Sequence, residues 1–268
     1  MRDVLGLART PRGVAERLAA TLLAADPRVA RTADGRWTLE RASASPALEC
    51  CRFAVVDVEA TGPSPAQGGR IIELAVVELA GDGPRLAFET LVQPGQPIAA
   101  AVARLTGITD GVVRDAPRFG AVADRLVAAL SGRVFVAHHV QFDWGLVAGE
   151  LARSRALLLA GPRLCTVRLA RRLLPRLASR SLDALAQYFG FAIAGRHRAA
   201  PDALAATRIL AELLGLARAR GATTLADLLT LRAPRHGCRA SAGSPAPASS
   251  GPSGPSGRSA PPAATVAS

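Results

Sequence analysis

Residues 53–62 read Phe-Ala-Val-Val-Asp-Val-Glu-Ala-Thr-Gly. The unbroken apolar run Phe53–Val56 describes a strand covered on both faces, because a strand with one wet face would alternate. Asp57 and Glu59 follow at a spacing of two. Successive side chains on a strand point to opposite faces, so this spacing sends both carboxylates to one side, where they can enter one pocket. Thr61-Gly62 then leaves the strand through a glycine, where backbone can approach a ligand closely. A D-x-E pair alone is equally a solvated strand end, so the rest of the chain decides between the two readings.

Outward from this strand, Ile71–Leu79 and Leu86–Val92 read as two more, separated by Gly- and Pro-containing turns, which predicts an antiparallel meander. A helix near Phe119–Leu130 leads to Val134-Phe135-Val136, which can return beside the first strand as a parallel crossover. Helical patterns follow over Phe142–Arg153, Val167–Leu174, Ser181–Phe189 and Pro201–Arg220. A mixed sheet flanked by helices is an α/β fold.

Two further acids fall where this order can use them. Asp143 stands at the start of a helix just after Val134–Val136; the helix dipole accounts for an acid there, but a fourth strand beside the first would also bring it to Asp57 and Glu59. Asp202 follows Pro201 in the first turn of the last long helix, and His197 sits in the loop before it, close enough for both to face one site. Four carboxylates can offset two divalent cations that activate water and stabilise a leaving oxygen. Oxygen ligands suit magnesium or manganese, whereas zinc prefers His and Cys. An imidazole with an ordinary pKa near 6.5 can take a proton from the attacking water. Ser131, Ser154 and Cys165 lack the context of a nucleophile elbow.

The chain has 268 residues and 49% hydrophobic content, enough for one main domain. We place that domain at 51–233. Residues 1–50 form a small extension, with an amphipathic helix over Val14–Ala25 and a hairpin over Arg28–Glu40 centred on Asp34-Gly35, similar to the last part of a winged helix. Residues 234–268, rich in Pro, Ser, Gly and Ala with a Gly-Pro-Ser repeat, read as a disordered tail. No apolar run approaches the roughly 20 residues that span a bilayer, and no secretion signal is read, so a cytoplasmic protein without a membrane anchor is expected. The four cysteines have neither disulfide-scaffold density nor zinc-site spacing. The net charge of +12 favours a polyanionic partner, and the 51–233 core alone carries 22 Arg against 15 Asp plus Glu. All 33 basic residues are arginine, which also fits a compositional bias.

Taken in order, Phe53–Gly62, Ala137–Asp143 and His197–Thr207 resemble the three motifs of the DEDDh superfamily of 3′→5′ exonucleases, closest to the proofreading epsilon subunit of bacterial DNA polymerase III and its stand-alone relatives. Gly69–Ala75, Leu91–Gly95, Leu105–Ile108 and Ser181–Ala186 extend the likeness over about residues 52–215. The resemblance implies an RNase H-like five-stranded mixed sheet, with Asp57, Glu59, Asp143 and Asp202 as ligands of two Mg2+ (or Mn2+) and His197 as general base. It places Thr61, Gly62, Ile108 and Phe142 at the 3′-terminal nucleotide, Phe142 as a stacking group. His139 stands where the family commonly has Asn, and Thr106 where His is frequent. The implied partners are single-stranded or frayed DNA 3′ ends and a DNA polymerase subunit. The alternatives are an exoribonuclease of the same superfamily and a non-catalytic nucleic-acid-binding polymerase accessory protein.

Overall fold

The strand β3 (Phe53–Ala60) lies at the centre of a five-stranded sheet, which explains its apolar run: it is paired on both edges and covered on both faces. The computed structural model describes residues 45–81 and 83–232, together with 14, 20, 21, 23, 29–31, 35 and 37–39. Strand order is β5-β4-β3-β6-β7, with β4 spanning Ile71–Ala80, β5 Gly83–Leu91, β6 Val134–Ala137 and β7 Arg163–Cys165. β3, β4 and β5 form the antiparallel meander, and β6 returns parallel to β3 with Phe53 opposite Val134. The β3–β4 register puts Glu59 opposite Glu73 and shifts just beyond, between Glu59 and Ala60.

Alternation along β3 sorts the helices to the two faces. Ala54, Val56 and Val58 share a core with Phe119, Val122 and Leu126 of helix α3 (Phe119–Leu130) and with Leu146, Val147 and Leu151 of α4 (Val140–Arg155). Phe53 and Val55 instead pack with α5 (Thr166–Leu173), α6 (Leu182–Tyr188) and α7 (Ala199–Ala219). Asp57 and Glu59 share the parity of Phe53 and Val55, so they open toward the α7 side. Ala199, Ala200 and Ala203 pack with Ala75 and Val77 of β4, and these small side chains let the first turns of α7 lie close against the sheet.

Several boundaries differ from the sequence reading. β5 begins at Gly83 rather than Leu86, because its pairing with β4 runs on to the turn, where Ala80 faces Gly83. β7 has 3 residues, too short for a periodic signal, and is recognisable only by its pairing with β6. α1 (Ala100–Thr106), α2 (Asp110–Val113) and α8 (Leu225–Thr230) are likewise too short for their periodicity to stand out. The segment before β3 belongs with the main core: Leu48 is buried there, its N–H donates to Thr223 O at 2.9 Å, and Leu225 N–H donates to Pro46 O at 3.0 Å.

Nearer the N-terminus, β1 (Val29–Arg31) pairs antiparallel with β2 (Trp37–Leu39), and Gly35 between them takes φ 78°. Positions 14, 20, 21 and 23 are helical. The remainder of the expected extension, and the expected tail over 234–268, lie outside the described residues. Among the described residues, no helix is long and apolar enough to cross a membrane.

The turn after β3 depends on two facing glycines. A Cβ on Gly69 would sit 2.8 Å from both Gly62 O and Ser64 O, whereas one on Gly62 would meet its nearest neighbour, Gly69 Cα, at 3.5 Å. Gly69→Ala is therefore expected to cost about 1–3 kcal/mol, as overpacking does, and to lower the melting temperature by several degrees. Gly62→Ala should cost much less. Thermal denaturation of the two variants side by side checks this; equal melting temperatures would contradict it.

Candidate active site

Acidic side chains from three elements converge beside the second half of β3. Asp57 and Glu59 come from the strand, Asp143 from the first turn of α4, and Asp202 from the first turn of α7. With Val58, His138, His139, Phe142, Ser181, Leu182 and Arg196 they line a pocket of about 290 Å³. A larger cavity of about 640 Å³ lies at the opposite ends of β3 and β6. Its walls are mostly Leu, Val, Gly and Pro with no carboxylate or imidazole, so volume is a poor guide to chemistry here.

Asp143 and Asp202 are each held by a backbone N–H. Asp143 is 4% exposed, and its Oδ1 accepts a hydrogen bond from Val58 N–H at 3.2 Å, tying α4 to the strand that carries Asp57 and Glu59. Asp202 Oδ2 accepts from His197 N–H at 3.2 Å and from Arg196 Nη1, while the buried Oδ1 has no partner among the described residues. His197 takes a left-handed φ of 60°, uncommon for a residue with a side chain. Ligand atoms of Glu59, His197 and Asp202 all lie within 4.8 Å of one another.

Burial and like charge push the carboxyls of Asp57, Glu59 and Asp143 upward. Asp57 is raised well above the ordinary range by burial first, then by Asp143, Asp202 and Glu59. Glu59 rises to about 7, again by burial first, with Asp202 and Glu73 adding to it. Asp143 is also raised by burial, against the lowering effect of backbone N–H donors. His138 is pushed down to about 4 by burial and by His139; its Nδ1 lies 2.9 Å from Thr166 Oγ1 and its buried Nε2 has no partner among the described residues. Clustered carboxylates with an orphaned, buried Asp202 oxygen fit a divalent-cation site with oxygen ligands.

Two arrangements lie beyond the sequence reading. Glu73, 1% exposed on β4, accepts a bifurcated hydrogen bond from Arg198 Nε–H and another from Nη2, and its Oε2 also accepts from Ala199 N–H at 2.8 Å. This clamp fastens the start of α7 to the sheet. Arg196 bridges Asp202 and Asp183, its Nε donating to Asp183 Oδ1 at 2.9 Å. The available signals were an acid inside the apolar run Ile71–Leu79 and the two arginines on either side of His197.

The other expected contacts divide. Phe142, 37% exposed, reaches the pocket. Thr61 and Gly62 follow the end of β3 outside its lining, and Thr61 Oγ1 accepts from Arg70 N–H at 3.0 Å and Gln96 Nε2 at 2.6 Å. Ile108 is not brought there: it is 1% exposed and packs in a separate cluster with Ile72, Ile98 and Val113. Thr106 is buried, donating to Val102 O and accepting from Ile108 N–H. His139 is exposed on the pocket wall.

The exonuclease family model RNase_T matches residues 54–210. The DNA polymerase III subunit epsilon of Aquifex aeolicus is 33% identical over 162 residues, covering 60% of this chain and 80% of that protein. The DNA polymerase III subunit epsilon-like protein of Rhodobacter capsulatus is 36% identical over 200 residues, 71% of this chain and 28% of that protein. The 3′-5′ exonuclease DinG of Bacillus subtilis is 34% identical over 180 residues, 67% and 19% respectively. The match thus spans under a third of the length of the latter two. Among solved structures, E. coli exonuclease I in complex with a dA16 oligonucleotide aligns over 63% of this chain and 42% of that one, with TM-score 0.53 and 20% identity, a likeness of fold.

Raised carboxyl pKa values set a direction for stability. A carboxyl that ionises near 4 in the unfolded chain and near 7 in the folded one keeps a proton on folding, so this contribution falls as pH climbs between those values. Chelator-treated protein is expected to melt at a lower temperature at pH 8 than at pH 6, and Asp57→Asn should shrink the difference. A melting temperature that rises from pH 6 to pH 8 would count against the repulsive cluster.

Proposed function

The chain belongs to the exonuclease family that its residues 54–210 match, and from that premise we propose that it is a divalent-cation-dependent 3′→5′ exonuclease releasing nucleoside 5′-monophosphates from DNA ends. The observation that carries this reading is the convergence of Asp57, Glu59, Asp143 and Asp202 in one pocket, with His197 beside Glu59 and Asp202. The four carboxylates would hold a pair of Mg2+ or Mn2+ ions, which supply charge neutralisation at the phosphate and water activation.

The chain's own groups do the rest. His197 accepts a proton from the attacking water as its oxygen bonds to phosphorus, and the P–O bond to the 3′ oxygen of the preceding nucleotide breaks. That oxygen is protonated and becomes the new 3′ end, while the released nucleotide keeps a 5′-phosphate. Phe142, open at the pocket wall, stacks on the terminal base. Two of the relatives are named as DNA polymerase III epsilon or epsilon-like proteins, which favours DNA over RNA and a polymerase as partner.

A single oligonucleotide blocked in turn at its 3′ and 5′ ends, prepared as DNA and as RNA, tests the reading. Cleavage should need a free 3′ end and Mg2+ or Mn2+ and should yield mononucleotides with a 5′-phosphate. His197→Ala should lower turnover roughly 100-fold or more. Asp202→Asn should lower it further. Cleavage that survives the 3′ block would remove the polarity, and a strong preference for RNA would move the substrate to RNA ends.

A further inference from the structure

We infer that Arg196 is the protein's own phosphate-binding group in this pocket, held at its wall by Asp183 and turned from Asp202 to the 5′-phosphate of the terminal nucleotide. The inference rests on the exonuclease reading above and adds a residue to it. Among the described residues lining the pocket, Arg196 carries the sole guanidinium or ammonium, facing Asp57, Glu59, Asp143 and Asp202. Phosphate entering such an acidic pocket meets repulsion, and a cation already in its wall is suited to offset part of it.

The guanidinium has two anchors of unequal kind. Nε is bonded to Asp183 Oδ1, a carboxylate in the first turn of α6 whose side chain is 63% exposed. Nη1 is bonded to Asp202 Oδ2, whose side chain is 7% exposed. Nη2 makes no hydrogen bond among the described residues. The outer anchor can hold the group in place while the inner one exchanges partners. Once Asp202 serves as a ligand to a divalent cation it would hold Nη1 less strongly, and the planar fork Nη1/Nη2 would then match two oxygens of a phosphate, a geometry that lysine cannot reproduce.

The backbone aims the side chain. Gly195 has φ 74° and His197 φ 60°, so Arg196 stands between two left-handed residues, and a Cβ on Gly195 would meet Pro201 Cγ at 3.4 Å. His197 N–H is tied to Asp202, and Arg198 is clamped to Glu73 on the next strand. A loop fixed on both sides of Arg196 presents it to the pocket with little freedom left to lose.

The test is a binding comparison that needs no turnover. Calorimetric titration of the full chain with thymidine 5′-monophosphate and with thymidine, at a fixed Mn2+ concentration, should show tighter binding of the monophosphate to the wild type. Arg196→Gln should weaken the monophosphate at least 10-fold, leave thymidine within about twofold, and bind Mn2+ no more weakly than the wild type. Arg196→Lys should recover part of the loss, and Asp183→Asn should give a smaller loss of the same kind. If Arg196→Gln folds poorly, Asp183→Asn and Arg196→Lys carry the comparison, read as the ratio of the two ligands. Monophosphate binding that Arg196→Gln leaves unchanged would overturn the assignment and make Arg196 only a counter-ion of Asp202. Wild-type protein that binds neither Mn2+ nor the monophosphate would remove the exonuclease reading as well.

Discussion

Mutual repulsion among carboxylates gathered in one pocket is the constraint to which this structure answers. At the 4.8 Å that bounds the Glu59–Asp202 approach, two unit charges repel by about 3 kcal/mol at an effective dielectric near 20. A marginally stable domain tolerates few uncompensated pairs of that size. The compensation is distributed. Asp143 takes a backbone N–H from β3, Asp202 takes one from His197, and Arg196 supplies a cation. The remaining deficit shows in the raised carboxyls of Asp57, Glu59 and Asp143, and it is the physical reason that such a cluster attracts divalent cations.

Holding the acids together against that repulsion requires rigid elements locked to one another. β3 supplies two of them from the middle of the sheet, where pairing on both edges leaves its backbone little freedom. α4 is tied to β3 through Asp143 and Val58. The start of α7 is fixed more heavily, by Arg198 and Ala199 N–H on Glu73, with alanines allowing the close approach. Hydrogen bonds to charged groups contribute about 1.5–3 kcal/mol each, so the Glu73 clamp is of the size needed to hold Asp202 against its neighbours. Glu73 also adds to the negative field at Glu59, so the clamp that fixes α7 makes the pocket more demanding of cations.

What could be read from the sequence followed the reach of each signal. Period-two alternation suffices to put Asp57 and Glu59 on one face, and the order strand, helix, strand suffices to place β6 beside β3. Asp143 was legible because it sits at a helix start just after a strand already assigned, and Asp202 because Pro201 marks its helix start with His197 in the loop before it. β7 was not, because 3 residues carry no period. Ile108 was placed at the substrate by resemblance alone; its apolar side chain is satisfied by Ile72, Ile98 and Val113, which no local pattern reveals. The Glu73 clamp and the Arg196 bridge depend on contacts between residues far apart in sequence or on different elements. Sequence can offer there only the oddity of an acid inside an apolar strand.

The all-arginine basic set looks at first like a bias of composition, and at many positions it is indistinguishable from one. Glu78 on β4, for example, draws on Arg52, Arg85 and Arg133, and the exposed members of that group ask only for positive charge. At other ion pairs the requirement is narrower. Arg198 meets Glu73 through both Nε and Nη2, and Arg70 meets buried Glu150 in the same forked way. Arg196 must hold one carboxylate with Nε while another bonds Nη1. A lysine ammonium is one point of charge and cannot span two acceptors held by different elements with the same fixed geometry. Three consecutive residues thus divide the work by chemistry: Arg196 joins two acids, His197 offers an imidazole beside them, and Arg198 fastens both to the sheet. Exchanging Arg196 and Arg198 for lysine would keep the net charge and lose the arrangement.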